Sequence, residues 1–312
     1  MPFLRKNAPS APKGGRLGRR QHYLIWMALP ALTVILLFTI YPGLVYIPAA
    51  FKNWTPPKAL SDADWVGMKW FRSILGYYGL REMIRNSVIL GLWDIFLLPV
   101  PLVLALACQH CSSSRIKKAL DVFSLIPVFI PVAIIVAVTQ RMLSTEGLIN
   151  QFLGLFGIPA QNHLLKGELF YVYFSLSGLW AGIGFPCLVY KACLAASSRD
   201  LHDAARLDGA GLFARILRID LPLCRSSFLV NLTMQMAAIL STSTERLMLF
   251  KNSANSAYAT TLDLYAYELT FRSSLMPSYS KAVALSLMTT LVNLILLALA
   301  RKVAVRKEDI YA

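Results

Sequence analysis

Charge is scarce in this chain. Asp, Glu, Lys and Arg make up 15% of its 312 residues, against about 25% in a soluble domain. Hydrophobic residues make up 56%, and the mean hydropathy is +0.55. That leaves too little polar surface for a water-soluble globule and points to membrane spans. Acids are the scarcer sign, 16 against 31 Lys and Arg, for a net charge of +15. In a soluble protein such an excess would suggest nucleic-acid binding. In a membrane chain, basic loops that orient the spans account for it, so no nucleic-acid partner is expected. Cysteine is sparse and odd in number: Cys108, Cys111, Cys187, Cys193 and Cys224. They lie mostly in or beside apolar runs, which gives no disulfide framework. No Gly-x-x-x-x-Gly-Lys-Ser/Thr phosphate loop occurs, so no ATP site of that kind is built here. No paired carboxylates, Ser/His/Asp set or reactive cysteine environment stands out either, so an enzyme reading has no support.

What is present is a series of apolar runs. Six spans are expected, at about 23–48, 86–107, 121–142, 169–194, 228–250 and 281–300, which makes this an all-α membrane protein. The fifth is the most diluted, with Asn231, Thr233, Gln235, Ser241, Thr242, Ser243, Thr244 and Glu245. Polar groups at membrane depth are costly unless they face the bundle interior or a water-filled cavity, so this span is the candidate for lining a path.

Basic residues set the orientation. Residues 1–22 carry six Lys and Arg, three Pro, three Gly and no acid, which reads as a flexible cytoplasmic tail. The apolar run after it is too long for a signal-peptide core and is expected to remain as the first span. The segments 108–120, 195–227 and 301–312 carry three, five and four Lys and Arg. The segments 49–85, 143–168 and 251–280 carry six, one and two, and the first of these also holds three acids. Both termini are therefore expected in the cytoplasm. The domain plan is a tail over 1–22, a membrane domain over 23–301 with a loop at 197–225, and a tail over 302–312.

That loop is the sharpest feature. It reads Asp200-Leu-His-Asp-Ala-Ala-Arg-Leu-Asp-Gly-Ala-Gly and continues to Ile219-Asp-Leu-Pro222. Asp200 suits a helix N-cap, with Asp203 at the capping-box position. Leu201 to Asp208 makes a short helix that Gly209 and Gly211 can end in left-handed backbone angles. A second run, Phe213 to Leu221, is expected to stop near Pro222. Two short helices meeting at a glycine turn form an exposed knob in the cytoplasm.

The spacing resembles the coupling motif of permease subunits in binding-protein-dependent ABC importers. That motif runs Glu-Ala-Ala, Asp-Gly-Ala, about eight residues, then Ile-x-Leu-Pro. The matching residues are Asp203, Ala204 and Ala205, then Asp208, Gly209 and Ala210, then Ile219, Leu221 and Pro222. Asp203 departs from the usual Glu, keeping the charge on a shorter arm. Phe51-Lys-Asn-Trp54 with Trp65-Val-Gly-Met-Lys-Trp-Phe71 is similar to the first outer loop of the carbohydrate permeases. Gly147-Leu-Ile-Asn150 with Leu155-Phe-Gly-Ile-Pro159 is similar to their second. Within them the chain resembles the lipoprotein-B-like, oligosaccharide-uptake subgroup, associated with polysaccharide-derived and uronic-acid-containing oligosaccharides.

The resemblance implies the six-helix architecture of a type I ABC importer permease in the bacterial cytoplasmic membrane, with a coupling-helix hairpin between spans four and five. It implies a second permease subunit, by family precedent a heterodimer, and two ATP-binding subunits that use ATP and Mg. It also implies an extracytoplasmic sugar-binding lipoprotein. This chain itself would carry no cofactor or metal.

Other constellations keep alternatives open. By residue type and depth, Asn231, Gln235, Tyr173 and Trp180 are candidates for the sugar path, as is Glu245 at the outer end of span five. Glu245 and Arg246 read equally as an interfacial ion pair. Asp94 in span two admits a proton-relay reading, hence a proton-coupled carrier, beside a polar contact or exposure in a cavity. A scaffold whose knob recruits a cytosolic partner is a further alternative. Lys191 is expected to snorkel. Gly178-Leu-Trp-Ala-Gly182 permits close helix contact, and Gly182-Ile-Gly184 before Pro186 is expected to kink span four. Cys108-Gln-His110-Cys111 has zinc-like spacing, but structural zinc takes four ligands. A short turn is expected there, with His202 and Cys224 lacking any obvious partner.

Overall fold

Prolines and glycines break the apolar runs at defined places, and those breaks set the architecture. The computed structural model describes residues 19–272 and 277–308, and the chain divides into two units, Met1–Pro48 and Ala49–Ala312. In the first unit, α1 (Arg19–Ile35) widens into a π-helical turn at Leu36–Ile40 and continues as α2 (Tyr41–Tyr46). Pro42, in the first turn of α2, has no N–H for the preceding carbonyls. The π turn immediately before it takes up that mismatch.

The second unit opens with a two-residue antiparallel ladder, β1 (Lys52–Asn53) on β2 (Asp64–Trp65), with Lys52 opposite Trp65. Phe51 stacks on Trp65 at 5.6 Å, and the Trp70 indole N–H donates to the Lys52 carbonyl at 2.9 Å. After α3 (Lys69–Leu75), α4 (Leu80–Leu97) and α5 (Val100–His110) follow one another across Pro99. Next come α6 (Ser114–Leu125), α7 (Val132–Leu143) and α8 (Leu148–Gly154), then α9 (Phe170–Gly182) and α10 (Gly184–Ala195). The polar loop supplies α11 (Arg199–Leu207) and α12 (Leu212–Arg215). A π turn at Ile216–Asp220 then leads into α13 (Leu221–Ala237). The chain ends its described course through α14 (Thr244–Phe250), α15 (Ser256–Ala259), α16 (Leu262–Phe271) and α17 (Tyr279–Glu308).

Four helical stretches are long and apolar enough to cross a membrane: Trp26–Phe51, Leu80–His110, Val132–Gly154 and Tyr279–Lys302. A fifth forms if the pair Gly167–Gly182 and Gly184–Ala195, bent by 51°, is one broken span. The bend falls at Gly182-Ile-Gly184, where the kink was expected.

Several expectations need correction. The fifth span does not run unbroken over 228–250. Its helix begins at Leu221 and ends at Ala237, and Ser243 starts a new helix by accepting the Arg246 N–H at 3.4 Å. The Ser241-Thr-Ser-Thr244 run supplies caps and turns rather than helix interior. The third span shifts from 121–142 to Val132–Gly154 because Pro127 and Pro131 interrupt it. Lys191 does not snorkel freely; it pairs with Asp121 on α6. At the C-terminus the apolar stretch ends at Lys302, and helix α17 itself continues to Glu308. At the N-terminus helix begins at Arg19, within the expected tail, whose residues 1–18 lie outside the described set.

Packing without a strong hydrophobic drive relies on close contact and hydrogen bonds. Asn86 on α4 is fully buried. Its amide donates to the carbonyls of Ala257 and Thr260 at 2.9 and 2.8 Å, and its oxygen accepts the Tyr171 hydroxyl at 2.7 Å. Beside it, Ser87 accepts the Leu262 N–H at 3.1 Å. Near the polar loop, Leu102 and Ala105 of α5, Tyr190 and Leu194 of α10 and Cys224 of α13 form one buried cluster. This cluster ties the loop's exit helix to its neighbours.

Candidate functional site

The polar loop folds into a knob of two short helices. Ser198, not Asp200, caps α11: its hydroxyl accepts the Leu201 N–H at 3.3 Å, and Asp200 falls in the first turn. Asp203 therefore lies outside the capping box and pairs instead with Arg206 at 3.1 Å, both side chains exposed. At the far end the Gly209 N–H bonds the Arg206 carbonyl at 3.0 Å and the Ala210 N–H bonds that of Ala205 at 2.8 Å. Those two bonds define a Schellman stop. Gly209 sits at φ +79°, the left-handed angle the stop needs.

Asp203, Ala204, Asp208, Gly209 and Pro222 are exposed, while Ala205, Ala210, Ile219 and Leu221 are half-buried. Leu207 and Phe213 are 90% and 78% exposed, an apolar tip on a polar hairpin. Pro222 does not end the second run. It occupies the first turn of α13, and the π turn at Ile216–Asp220 lets the chain pass into that helix. This repeats the arrangement before Pro42.

Beneath the knob is a polar contact that sequence reading missed. Asp220 is fully buried, with one carboxylate oxygen 2.7 Å from His110 Nε2 and the other 3.2 Å from His202 Nε2. The imidazoles meet edge-on at 6.0 Å between centroids. Three places are thereby joined: the end of α5, the knob helix α11 and the foot of α13. His110 belonged to the zinc-like motif and His202 had no obvious partner, so each looked idle alone. The signal that could have found the contact is Asp220 itself, an acid between apolar Ile219 and Leu221. Among the described residues no group of three or more His, Cys, Asp and Glu could hold a metal ion.

Farther along α13 a cavity of about 370 Å³ opens where α9 breaks from α10. Asp94, Gly178, Gly182, Pro186, Gln235 and Arg246 are among its lining residues. The Arg246 guanidinium carbon lies 4.2 Å from the centroid of the Phe174 ring. The guanidinium packs so close to Gly178 that a Cβ there would sit 2.7 Å from Cζ. Gly178 thus makes room for a side chain rather than for another helix backbone.

The other path candidates separate. Gln235 lines this cavity. Asn231 donates to the Tyr190 hydroxyl at 3.3 Å. Tyr173 is buried, and its hydroxyl accepts from Asn255 at 3.0 Å. Trp180 and Tyr173 line a second, more apolar cavity of about 530 Å³. Glu245 is exposed and makes no ion pair with Arg246; Arg246 shares its cavity with Asp94 instead.

Residues 100–307 match the family described as "Binding-protein-dependent transport system inner membrane component", and the chain belongs to that family. Among curated relatives, it is 29% identical over 298 residues to a polygalacturonan/rhamnogalacturonan transport system permease protein of Bacillus subtilis. That match covers 94% of this chain and 91% of the relative. Protein LplB of the same organism is 27% identical over 89% of this chain and 87% of its own length. Among solved structures, it is similar to a chain of a bacterial ABC transporter involved in the import of the acidic polysaccharide alginate. The TM-score is 0.79 at 26% identity, over 92% of this chain and 96% of that one. A chain of the bacterial alginate transporter bound to an alginate pentasaccharide-loaded periplasmic protein gives 0.80 at 25% identity, with the same coverage. The protein is thus an all-helical, multi-pass membrane permease with the type I ABC importer fold, and not an enzyme. This replaces the proton-coupled-carrier and scaffold readings.

Proposed function

We propose that this chain is the translocating subunit of an ATP-driven oligosaccharide importer in the bacterial cytoplasmic membrane, with both termini in the cytoplasm. The observation that carries the coupling part is the knob. An exposed helix bearing Asp203, Ala204 and Ala205 ends in a Gly209 stop, and Ile219, Leu221 and Pro222 lead straight into α13. A push on the knob therefore has a short route to a cavity-lining helix. The lack of a Gly-x-x-x-x-Gly-Lys-Ser/Thr loop in the sequence supports placing ATP and Mg on partner subunits. Two of these would sit beneath this chain and a second, non-identical permease, with a sugar-binding lipoprotein delivering cargo from outside. The oligosaccharide assignment draws on relatives named for polygalacturonan, rhamnogalacturonan and alginate. Gln235 is the path candidate that lines the cavity; Asn231, Tyr173, Trp180 and Glu245 remain proposed path residues outside its lining.

The test is ATP-driven oligosaccharide uptake by the reconstituted importer. Gly209→Pro and Asp203→Lys are each expected to cut uptake while leaving assembly intact. Undiminished uptake by both variants would sink the coupling assignment.

A further inference from the structure

The cavity at the broken helix holds two opposite charges that do not meet. Asp94 and Arg246 both line it, yet no N···O distance between them falls within 4.0 Å. Among the described residues neither side chain makes a hydrogen bond, and Arg246 Nε is buried without a partner. Charges at membrane depth are retained where they serve a path or a pair. The guanidinium is held in place by apolar means, under the Phe174 ring and over the missing side chain of Gly178. The side chain lines the cavity, and its guanidinium donors have no hydrogen-bond partner among the described residues. Gln235 adds an amide on the same wall.

A planar guanidinium with free donors matches a carboxylate, which it binds through two parallel, charge-assisted hydrogen bonds. A neutral sugar offers hydroxyl oxygens that can also accept from a guanidinium, but only one neutral bond at a time, without the charge and the paired geometry of a carboxylate. We infer that Arg246 is the specificity-determining residue of a saccharide site in this cavity and binds the carboxylate of a uronic-acid unit. Gly178 acts as a positioning residue by leaving its guanidinium room. Asp94 has the opposite effect on the same ligand. Its charge opposes an incoming carboxylate and keeps the complex weak enough to release cargo, as a transport path requires. The inference rests on the oligosaccharide-importer reading and deepens it.

The experiment uses the chain with its copurifying partner subunits in lipid nanodiscs, without binding protein. The probes are trigalacturonate and its carboxyl-reduced counterpart, galactotriose. The intact complex is expected to bind trigalacturonate about tenfold or more tightly than galactotriose. Arg246→Gln should remove that preference by weakening trigalacturonate binding far more than galactotriose binding. Arg246→Lys should keep part of it, and Asp94→Asn should tighten trigalacturonate binding. If Asp94 were only a counter-ion holding Arg246 in place, Asp94→Asn would weaken binding instead, which overturns the assignment. Equal losses for both sugars in Arg246→Gln, or no preference in the unaltered complex, overturn it too. Absence of binding in the complex, with gene-dependent uptake of oligosaccharide intact in cells, rejects the cavity site and leaves the importer reading standing. Uptake unchanged on deleting the gene rejects the importer reading itself.

Discussion

His202 reaches back from the exposed knob to within 3.2 Å of Asp220, the buried carboxylate that His110 holds at 2.7 Å from the end of α5. One buried carboxylate thus sits between the knob helix and two other elements: it is hydrogen-bonded to His110, while His202 Nε2 approaches it without a hydrogen bond. Removing one partner of a buried hydrogen-bonded charge leaves the rest unpaired, which costs about 3 kcal/mol or more. Asp220→Ala is expected to lower the thermal stability of the purified protein accordingly. A double-mutant cycle of His202→Ala with Asp220→Ala should give a coupling energy above about 0.5 kcal/mol. A value near zero would mean that His202 contributes nothing to holding the knob.

The knob's turn makes a narrower prediction. Gly209 adopts φ +79° with open space where a Cβ would go, so only the backbone resists a side chain there. Gly209→Ala should cost about 1 kcal/mol. Gly211 lies at φ −67° with nothing near its missing Cβ, so Gly211→Ala should be close to neutral. Chemical unfolding of the two variants side by side checks the contrast. Equal losses would place the strain elsewhere in the loop.

How much of this was legible in the sequence follows from the range of each interaction. The helix stop at Gly209 and the kink at Gly182-Ile-Gly184 depend on residues within one turn, and both were readable. The broken fifth span was half readable. Its polar run dilutes the span in the sequence, although Ser243 in that run caps a new helix. The cap at Ser198 was missed because Asp200, two residues on, suits the position equally well by type. Asp220 with His110 and His202, and Arg246 over Gly178, join residues 110, 18 and 68 positions apart. No local pattern brings such residues together; only the packing of α5, α11 and α13, and of α9 with α14, does so.

Asn86 should behave as a keystone of the segment at 255–262. Its fully buried amide satisfies two carbonyls, and its oxygen takes the Tyr171 hydroxyl, although the partner residues Ala257, Thr260 and Tyr171 are themselves partly or fully exposed. Truncation to Ala removes three hydrogen bonds whose partners keep some access to water, each worth about 0.5–1.5 kcal/mol. Asn86→Ala is expected to lose about 2 kcal/mol and to raise hydrogen exchange at Ala257 to Leu262. Protection unchanged across that segment would show that other contacts hold it.

Gly91 on α4 tests how closely α4 packs against the end of α13. A Cβ at Gly91 would meet the backbone of Ile239, lying 2.6 Å from its Cγ1 and closer still to its carbonyl oxygen. Ile239 directly follows the C-cap of α13, where the chain leaves the helix toward Ser243, so the obstruction is main chain that cannot rotate away. Overpacking of this kind costs about 1–3 kcal/mol, and Gly91→Ala is expected to fall in the upper half of that range. Gly154 ends α8 with nothing within 4 Å of its missing Cβ. There Gly→Ala should be neutral or stabilising by up to about 1 kcal/mol. Thermal unfolding of both variants in the same detergent isolates the packing effect, since the chemical change is the same. If Gly91→Ala melts with the unaltered protein, the end of α13 yields to α4, and the boundary at Ala237 is a soft one.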